Sequence, residues 1–338
     1  MQVDNYSIVR IISPHDGVIR GEIDLPASKS ECNRALILDA LSDNQSVLLN
    51  ISKANDTLIL QNCLKNESGE INVEDAGTAA RFFMAFMCMQ GRSVRLFGSP
   101  RMHQRPMHEL INALRKLGAN ITCEDVEGFF PLKIEASELR GGEIDIDASV
   151  SSQFISALMM IAPQLKDGLH IRFKNKPASF SYLQQTVAIM KKYSIDVELN
   201  ESEVLIRKQK ISPAKFNING DWSSASFFIC MAALSNHSDF LMKNISTKSI
   251  QGDEVLLNWM TDAGLTCSEV ENGIRVQKTK PLKLSSTYSL FSTPDLAQPL
   301  AVMCAALNHN ATFNGTQNLR LKETDRVTAL HIELKKCG

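Results

Sequence analysis

The segment LPASKSECNRA (Leu25–Ala35) sets Lys29 and Arg34 about a helix start with serine in the capping position. Backbone amides, a hydroxyl and two cations converge there. That suits an anionic ligand, because a helix N-terminus and fixed bases both favour negative charge. Taken alone, the segment is equally an ordinary capped helix with solvated bases. DAGTAARF (Asp75–Phe82) is a glycine turn opening a helix with Arg81 one turn in, and GSPRMHQRP (Gly98–Pro106) adds Arg101 and Arg105; each also reads as a plain loop. SVSSQF (Ser149–Phe154) offers three serines and Gln153 at a further helix start, which capping alone would explain. PDLA (Pro294–Ala297) puts Asp295 at the N-terminus of an apolar helix, where an acid is favourable for structural reasons. NLRLKETDR (Asn318–Arg326) is densely charged, the usual pattern of a solvated helix face.

The elements that must position these residues follow from periodicity. Spacing of 3.6 predicts helices over Asn33–Leu41, Asp56–Lys65, Thr78–Met89, Gln153–Leu165, Ser224–Leu234 and Leu296–Leu307, with strands Val47–Ile51, Ser93–Phe97, Leu132–Glu135 and Glu143–Ile146 between them. Alternating helix and strand with short connections argues for an α/β protein. A unit of one amphipathic helix, often closed by glycine, running into a β-rich segment recurs at Glu109–Asp125, Gln185–Glu201 and Glu254–Val270. These copies lie roughly 70 residues apart, the sign of a repeated supersecondary unit. A fourth begins at Thr328 and reaches only its helix-closing glycine, Gly338, so the last repeat is expected to be incomplete. Two polar turns, Leu25–Ser28 and Asn219–Ser223, are the best candidate boundaries.

Composition bounds the rest. A chain of 338 residues exceeds what one core normally serves, and 44% hydrophobic with 22% charged residues is the make-up of a globular protein. A formal net charge of −1 supplies no field for nucleic acid or an anionic membrane, so an anionic ligand must be held by a local cluster of bases. The eight cysteines are scattered and never form a CxxC pair, which suits buried thiols in a reducing compartment. The N-terminus has no signal-peptide pattern and no apolar stretch could span a bilayer; a cytoplasmic protein is expected. No histidine spacing supports a bound metal.

In order along the chain, SKSxxNRA, AGTAxR, PRMxxRP, SVSSQF, GDWSSAS, PDLA and LRxKETDR resemble the signature series of the 5-enolpyruvylshikimate-3-phosphate synthases, over roughly Leu25–Gly338. The resemblance implies a two-domain inside-out α/β barrel built from repeated units. Domain one would be residues 25–220, and domain two residues 1–24 with 221–338, lacking its last repeat. It implies transfer of the enolpyruvyl group of phosphoenolpyruvate to the 5-hydroxyl of shikimate 3-phosphate, with no cofactor, in a cleft that closes between the domains. By similarity, Lys29 would lie between both substrates, and Ser30 and Arg34 would hold the shikimate ring and its carboxylate. Ser151, Ser152, Ser179 and Tyr182 would bind the 3-phosphate, with Asn318 and Lys322 reaching it across the cleft. Arg105, Gln153 and the Gly77 backbone would hold the phosphate of phosphoenolpyruvate, and Arg326 its carboxylate. Arg81 would support that loop. Asp295 would be the general base at the 5-hydroxyl, and Glu323 would move the methylene proton, a task that calls for a raised carboxyl pKa.

Two departures from the family pattern bear on function. Glu74 and Asp75 stand where the family usually has Gly-Asn, placing acids beside the proposed phosphate loop; they must turn away or pair with a base such as Arg81. The family's later His-Arg pair and lysine have no counterpart within this sequence, so the chain is expected to bind shikimate 3-phosphate but turn over poorly. Two alternatives remain: the related UDP-N-acetylglucosamine enolpyruvyl transferase, and a non-catalytic fragment that binds shikimate 3-phosphate. Oligomeric state is not legible.

Overall fold

The computed structural model describes residues 16–338. Its strands are β1 (Val18–Asp24), β2 (Val47–Leu49), β3 (Glu70–Asn72), β4 (Val94–Phe97), β5 (Asn120–Cys123), β6 (Leu132–Glu135), β7 (Gly142–Ile146), β8 (Leu169–Phe173), β9 (Glu198–Leu199), β10 (Glu203–Ile206), β11 (Lys215–Asn217), β12 (His237–Lys243), β13 (Thr266–Val270), β14 (Gly273–Lys278), β15 (Thr287–Ser289) and β16 (Thr312–Asn314). Its helices are α1 (Lys29–Leu41), α2 (Asn55–Lys65), α3 (Gly77–Met89), α4 (His108–Lys116), α5 (Ser152–Ile161), α6 (Phe180–Lys192), α7 (Trp222–Leu234), α8 (Val255–Ala263), α9 (Ala297–Ala306) and α10 (Arg326–Lys336).

Three four-stranded sheets share one plan: β3-β4-β6-β5, β7-β8-β10-β9 and β1-β12-β14-β13. In each, the first two strands are parallel and the remaining pairings antiparallel. In the first two sheets a helix crosses between the parallel strands, as parallel pairing requires, and a second helix leads into the hairpin. The repeat seen in the sequence is the second half of this unit: α4, α6 and α8, each followed by its hairpin. Gly118 and Gly264 close α4 and α8 in the left-handed region, where the absence of a Cβ removes the steric cost; Ser194 closes the middle copy at φ 61°. β2 pairs with β11, and β15 with β16, in two shorter parallel sheets.

Element ends differ from periodicity where local chemistry intervenes. α1 starts at Lys29, not Asn33, because the Ser28 hydroxyl accepts the Glu31 amide at 3.4 Å. The helix expected to reach Leu165 ends at Ile161 and tightens to a 3-10 turn, Ala162–Gln164, around Pro163, which has no amide to donate. The charged run after Asn318 is not a solvated helix face: a 3-10 turn, Gln317–Leu321, is followed by irregular chain until α10 starts at Arg326.

Two hydrophobic cores form. The first gathers α1, α3, α5 and α6, and α3 is buried from Gly77 to Cys88. The second gathers α7, α8 and α9 with the sheet containing β12 and β14. Leu25 joins the second core, whereas Ala27 and Ile218 join the first. The chain crosses between cores twice, side by side: Ala27 bridges Gly220, the Ser28 amide donates to Asn219 O at 2.8 Å, and the Asp221 amide donates to Pro26 O at 2.9 Å. These crossings are the two polar turns noted above. Phe227 and Met231 on α7, Val302 on α9 and Ile332 on α10 remain exposed.

Candidate active site

A cleft that opens to solvent lies between the cores. From the first core it is lined by the starts of α1, α3, α5 and α6 and by Arg105; from the second, by Asp295 and the stretch Asn318–Arg326. Four helix N-termini therefore open on a cleft containing several cations, and both features favour anions.

Gly77, the first residue of α3, lies under the Arg105 guanidinium: a Cβ there would fall 2.7 Å from Cζ. Arg105 is 3% exposed, faces Glu323 at 3.4 Å, and its buried Nε has no hydrogen-bond partner. An unsatisfied buried donor is costly unless something supplies an acceptor. Arg81 donates to Gly77 O and to Gln153 Oε1, both at 2.9 Å, and Gln153 Nε2 donates to Thr78 Oγ1 at 3.2 Å, so this loop and the start of α5 are tied together. The carboxylates of Asp75 and Glu74 pair with neither arginine, although Arg105 Nη1 donates to the Asp75 main-chain carbonyl at 3.5 Å. Asp75 accepts from the Ser99 hydroxyl, and Glu74 is exposed, so both acids turn away from the cleft.

Arg34 is buried and committed to the protein, donating to Thr186 Oγ1 (2.7 Å), Ser30 O (2.8 Å), Tyr182 O (3.3 Å) and Ser156 Oγ (3.4 Å). Lys29 is 41% exposed and 3.5 Å from Asp56. Burial works against its charge, but Asp56, Asp295, Glu323 and Asp221 outweigh it and raise the pKa. Ser151 caps α5 by accepting the Gln153 amide at 3.3 Å, with Ser152 following. Ser179 is left-handed at the start of α6, and its amide donates across the cleft to Phe291 O at 3.0 Å. Asn318 reaches back to Ser149 O at 3.2 Å.

Asp295 is the centre of the second side. Its Oδ2 accepts from the Tyr182 hydroxyl at 2.6 Å, its Oδ1 accepts from Arg326 Nη1 at 2.5 Å, and Lys322 Nζ lies 3.6 Å away. Burial pushes its pKa up, but the two cations and these hydrogen bonds hold it far below the usual carboxylate range. Glu323 corrects the sequence reading. Burial again pushes up, yet Arg105, then Lys322 and Arg326, bring it down to about 2 rather than raising it.

Periodicity gave no hint of the turn Gln251–Asp253. Gln251 Nε2 donates to Glu31 Oε1 and to Gly220 O, both at 2.8 Å, and its Oε1 accepts the Trp222 amide at 2.9 Å. Gly252 lies against Ser181 of α6. Asp253 is buried and accepts the Ser223 hydroxyl at 2.6 Å; burial, then Asp295, push its pKa up to about 7. The only sequence signal was the proximity of a glycine to two polar residues, and nothing local announces contacts this long in range.

Repeated α/β units around two cores, with a cation-rich cleft between them, define a two-domain protein for small anionic ligands. Comparison with known proteins makes this specific: the family model described as EPSP synthase (3-phosphoshikimate 1-carboxyvinyltransferase) matches residues 60–338. A Bacteroides fragilis 3-phosphoshikimate 1-carboxyvinyltransferase is 39% identical over 321 residues, covering 95% of this chain and 78% of that protein. The Histophilus somni protein of the same name is 33% identical over 352 residues, covering 95% and 81%. An EPSP synthase structure from Acinetobacter baumannii superposes with a TM-score of 0.70 at 17% identity, covering 94% of this chain and 78% of that one. The chain belongs to the EPSP synthase family, and its fold is that family's two-domain inside-out α/β architecture. Among the described residues no helix is long and apolar enough to cross a membrane.

Proposed function

We propose that this protein transfers the enolpyruvyl group of phosphoenolpyruvate to the 5-hydroxyl of shikimate 3-phosphate and releases phosphate, acting in the cytoplasm, where its scattered thiols suit a reducing environment. One observation carries the reading: Asp295 and Glu323 sit among Arg105, Lys322 and Arg326, supplied from both cores, with Lys29 lining the same cleft. Two polyanionic substrates need several fixed cations, and the reaction needs a proton taken from the hydroxyl and one delivered to the methylene carbon. Residues 25–220 and residues 1–24 with 221–338 are the two bodies in this proposal; the two cores and the paired crossings support it.

The chemistry runs by protonation of the phosphoenolpyruvate methylene and attack of the 5-hydroxyl oxygen on the adjacent carbon. The tetrahedral adduct then loses a proton and phosphate to restore the double bond. Ser151, Ser152, Ser179, Tyr182, Asn318 and Lys322 hold the 3-phosphate, with Ser30, Arg34 and Lys29 about the ring. Gln153, Gly77 and Arg105 hold the donor phosphate, and Arg326 its carboxylate. Four hydrogen bonds from Arg34 to the protein fix α1 against α5 and α6 and hold its guanidinium at the cleft wall. The ion pairs explain how carboxylates held this low can move protons. Substrate anions compete for Arg105 and Arg326, and each cation drawn away stops depressing Glu323 or Asp295. Burial, which already pushes both carboxyls up, then meets less opposition.

A phosphate-release assay on the 338-residue protein with phosphoenolpyruvate and each acceptor tests the reading. Only slow release with shikimate 3-phosphate, above the rate without acceptor, is expected. Release with UDP-N-acetylglucosamine alone would sink it, and calorimetric binding of shikimate 3-phosphate without turnover would favour the binding-only alternative.

A further inference from the structure

We infer that Arg101 is a positioning residue that grips the main chain of Lys322 and Glu323 across the cleft and so sets where those two side chains point. This deepens the proposed function and rests on it. Arg101 Nη2 donates to Lys322 O at 2.9 Å and Nε donates to Glu323 O at 3.1 Å. Two consecutive carbonyls of the second body are thus held by one guanidinium of the first.

Both sides of this contact are arranged for it. Arg101 stands on a stiff loop: the Ser99 amide donates to Glu74 O at 3.2 Å, the Ser99 hydroxyl donates to Asp75, and the Met102 amide donates to Ser99 Oγ at 3.2 Å. Further along, the His103 amide donates to Ser99 O at 3.1 Å, and Arg101 Nη1 donates to Gln104 Oε1 at 3.4 Å. Of the two acids that break the family pattern, Asp75 braces the loop of this arginine with its carboxylate, and Glu74 does so with its main-chain carbonyl alone. Opposite, residues 322–324 belong to no helix or strand, so their carbonyls lack the partners that regular structure provides.

Lys322, with φ −77° and ψ −169°, opens a bend over residues 322–324. Fixing the two carbonyls at this bend fixes the Cα–Cβ directions of both residues and sends Lys322 toward Asp295 at 3.6 Å and Glu323 toward Arg105 at 3.4 Å, into the one cleft that both line. Arg105 meets Glu323 through its side chain, whereas across the cleft Arg101 bonds only backbone, so it positions and does not take part in the chemistry. A planar fork reaches two carbonyls at fixed separation; a lysine ammonium is a single point and cannot substitute for it.

Arg101→Ala and Arg101→Lys test this in the full chain by amide hydrogen exchange across residues 320–327, with calorimetric titration of phosphoenolpyruvate and a thermal melt on the same samples. Arg101→Ala is expected to speed exchange in that stretch by about tenfold or more, the loss associated with a charge-assisted hydrogen bond, and to weaken phosphoenolpyruvate by a similar factor. Exchange elsewhere and Tm should stay close to wild type, and Arg101→Lys should recover only a small part. Wild-type exchange in Arg101→Ala, or full recovery of exchange and binding by Arg101→Lys, would overturn the inference. Because exchange is read without substrate, a failure of the proposed reaction would leave this result decisive about Arg101.

Discussion

Gly252→Ala should weaken shikimate 3-phosphate binding while leaving the melting temperature nearly unchanged. A Cβ built at Gly252 falls 2.5 Å from the Ser181 Cβ and 2.6 Å from its hydroxyl, where ordinary contact begins at 3.4 Å. The hydroxyl can rotate away, but the Ser181 Cβ is fixed by the first turn of α6, so about 0.9 Å of separation must come from moving α6 off the turn. Such overpacking costs about 1–3 kcal/mol. The contact lies between the two cores, so the cheaper relief is to part them, and the closed arrangement should lose about 5- to 150-fold in population. Tyr182, one residue along α6, would separate from Asp295, now 2.6 Å away. Calorimetry with shikimate 3-phosphate should show affinity falling by that factor. Adding Ser181→Gly to the same chain removes the obstructing atoms and should restore it. If strain were absorbed within the second core, Tm would fall by about 2–4 °C per kcal/mol with affinity intact. That pattern would refute the closure reasoning.

Three further outcomes are expected. Asp295→Asn should lower phosphate release by roughly two to four orders of magnitude, as loss of a general base does, with shikimate 3-phosphate affinity changed less; near wild-type turnover in steady-state kinetics would remove Asp295 from that role. Asp253, raised to about 7 by burial and Asp295, holds its proton more tightly folded than unfolded. Its stabilising contribution is therefore complete below about pH 4 and lost as pH rises toward 7. In Asp253→Asn, melting temperature across pH 4–8 should decline less than in wild type; parallel curves would contradict the assignment. Arg34→Lys should destabilise the first core by about 2–4 kcal/mol, because one ammonium cannot serve the buried acceptors around Arg34; denaturant unfolding measures this.

Much of this arrangement was legible in the sequence where order is local. Helical spacing located α3 and α7, and the recurring helix-and-hairpin half-unit located α4, α6 and α8, because burying one face of a short helix imposes a pattern within a dozen residues. The two crossings fall at polar turns, which are weak boundary signals by themselves. The motifs assembled the cleft, bringing Lys29, Arg105, Ser151, Tyr182, Asp295 and Arg326 together. What failed was whatever depends on residues distant along the chain. The role given to Glu323 calls for a raised pKa, which sequence cannot supply, and only the fold reveals that Arg105 stands beside it. Tyr182 was assigned to a phosphate, yet its hydroxyl also meets Asp295. Gln251–Asp253 carries no recognisable pattern, because its partners Glu31 and Ser181 come from the other core.

The pairing of β1 with β12 has a consequence for how the protein comes off the ribosome. Val18 pairs with His237, so about 220 residues separate the strand that emerges first from the partner that completes it. At about 5–20 residues per second, β1 waits roughly 10–40 s. During that time the whole first core has been synthesised and can condense without it. An unpaired apolar strand exposed for so long would invite other nascent chains. β1 instead carries Arg20, Glu22 and Asp24 at alternate positions, and among the described residues it lies at the sheet edge, so the same charges discourage pairing with a stranger before and after assembly.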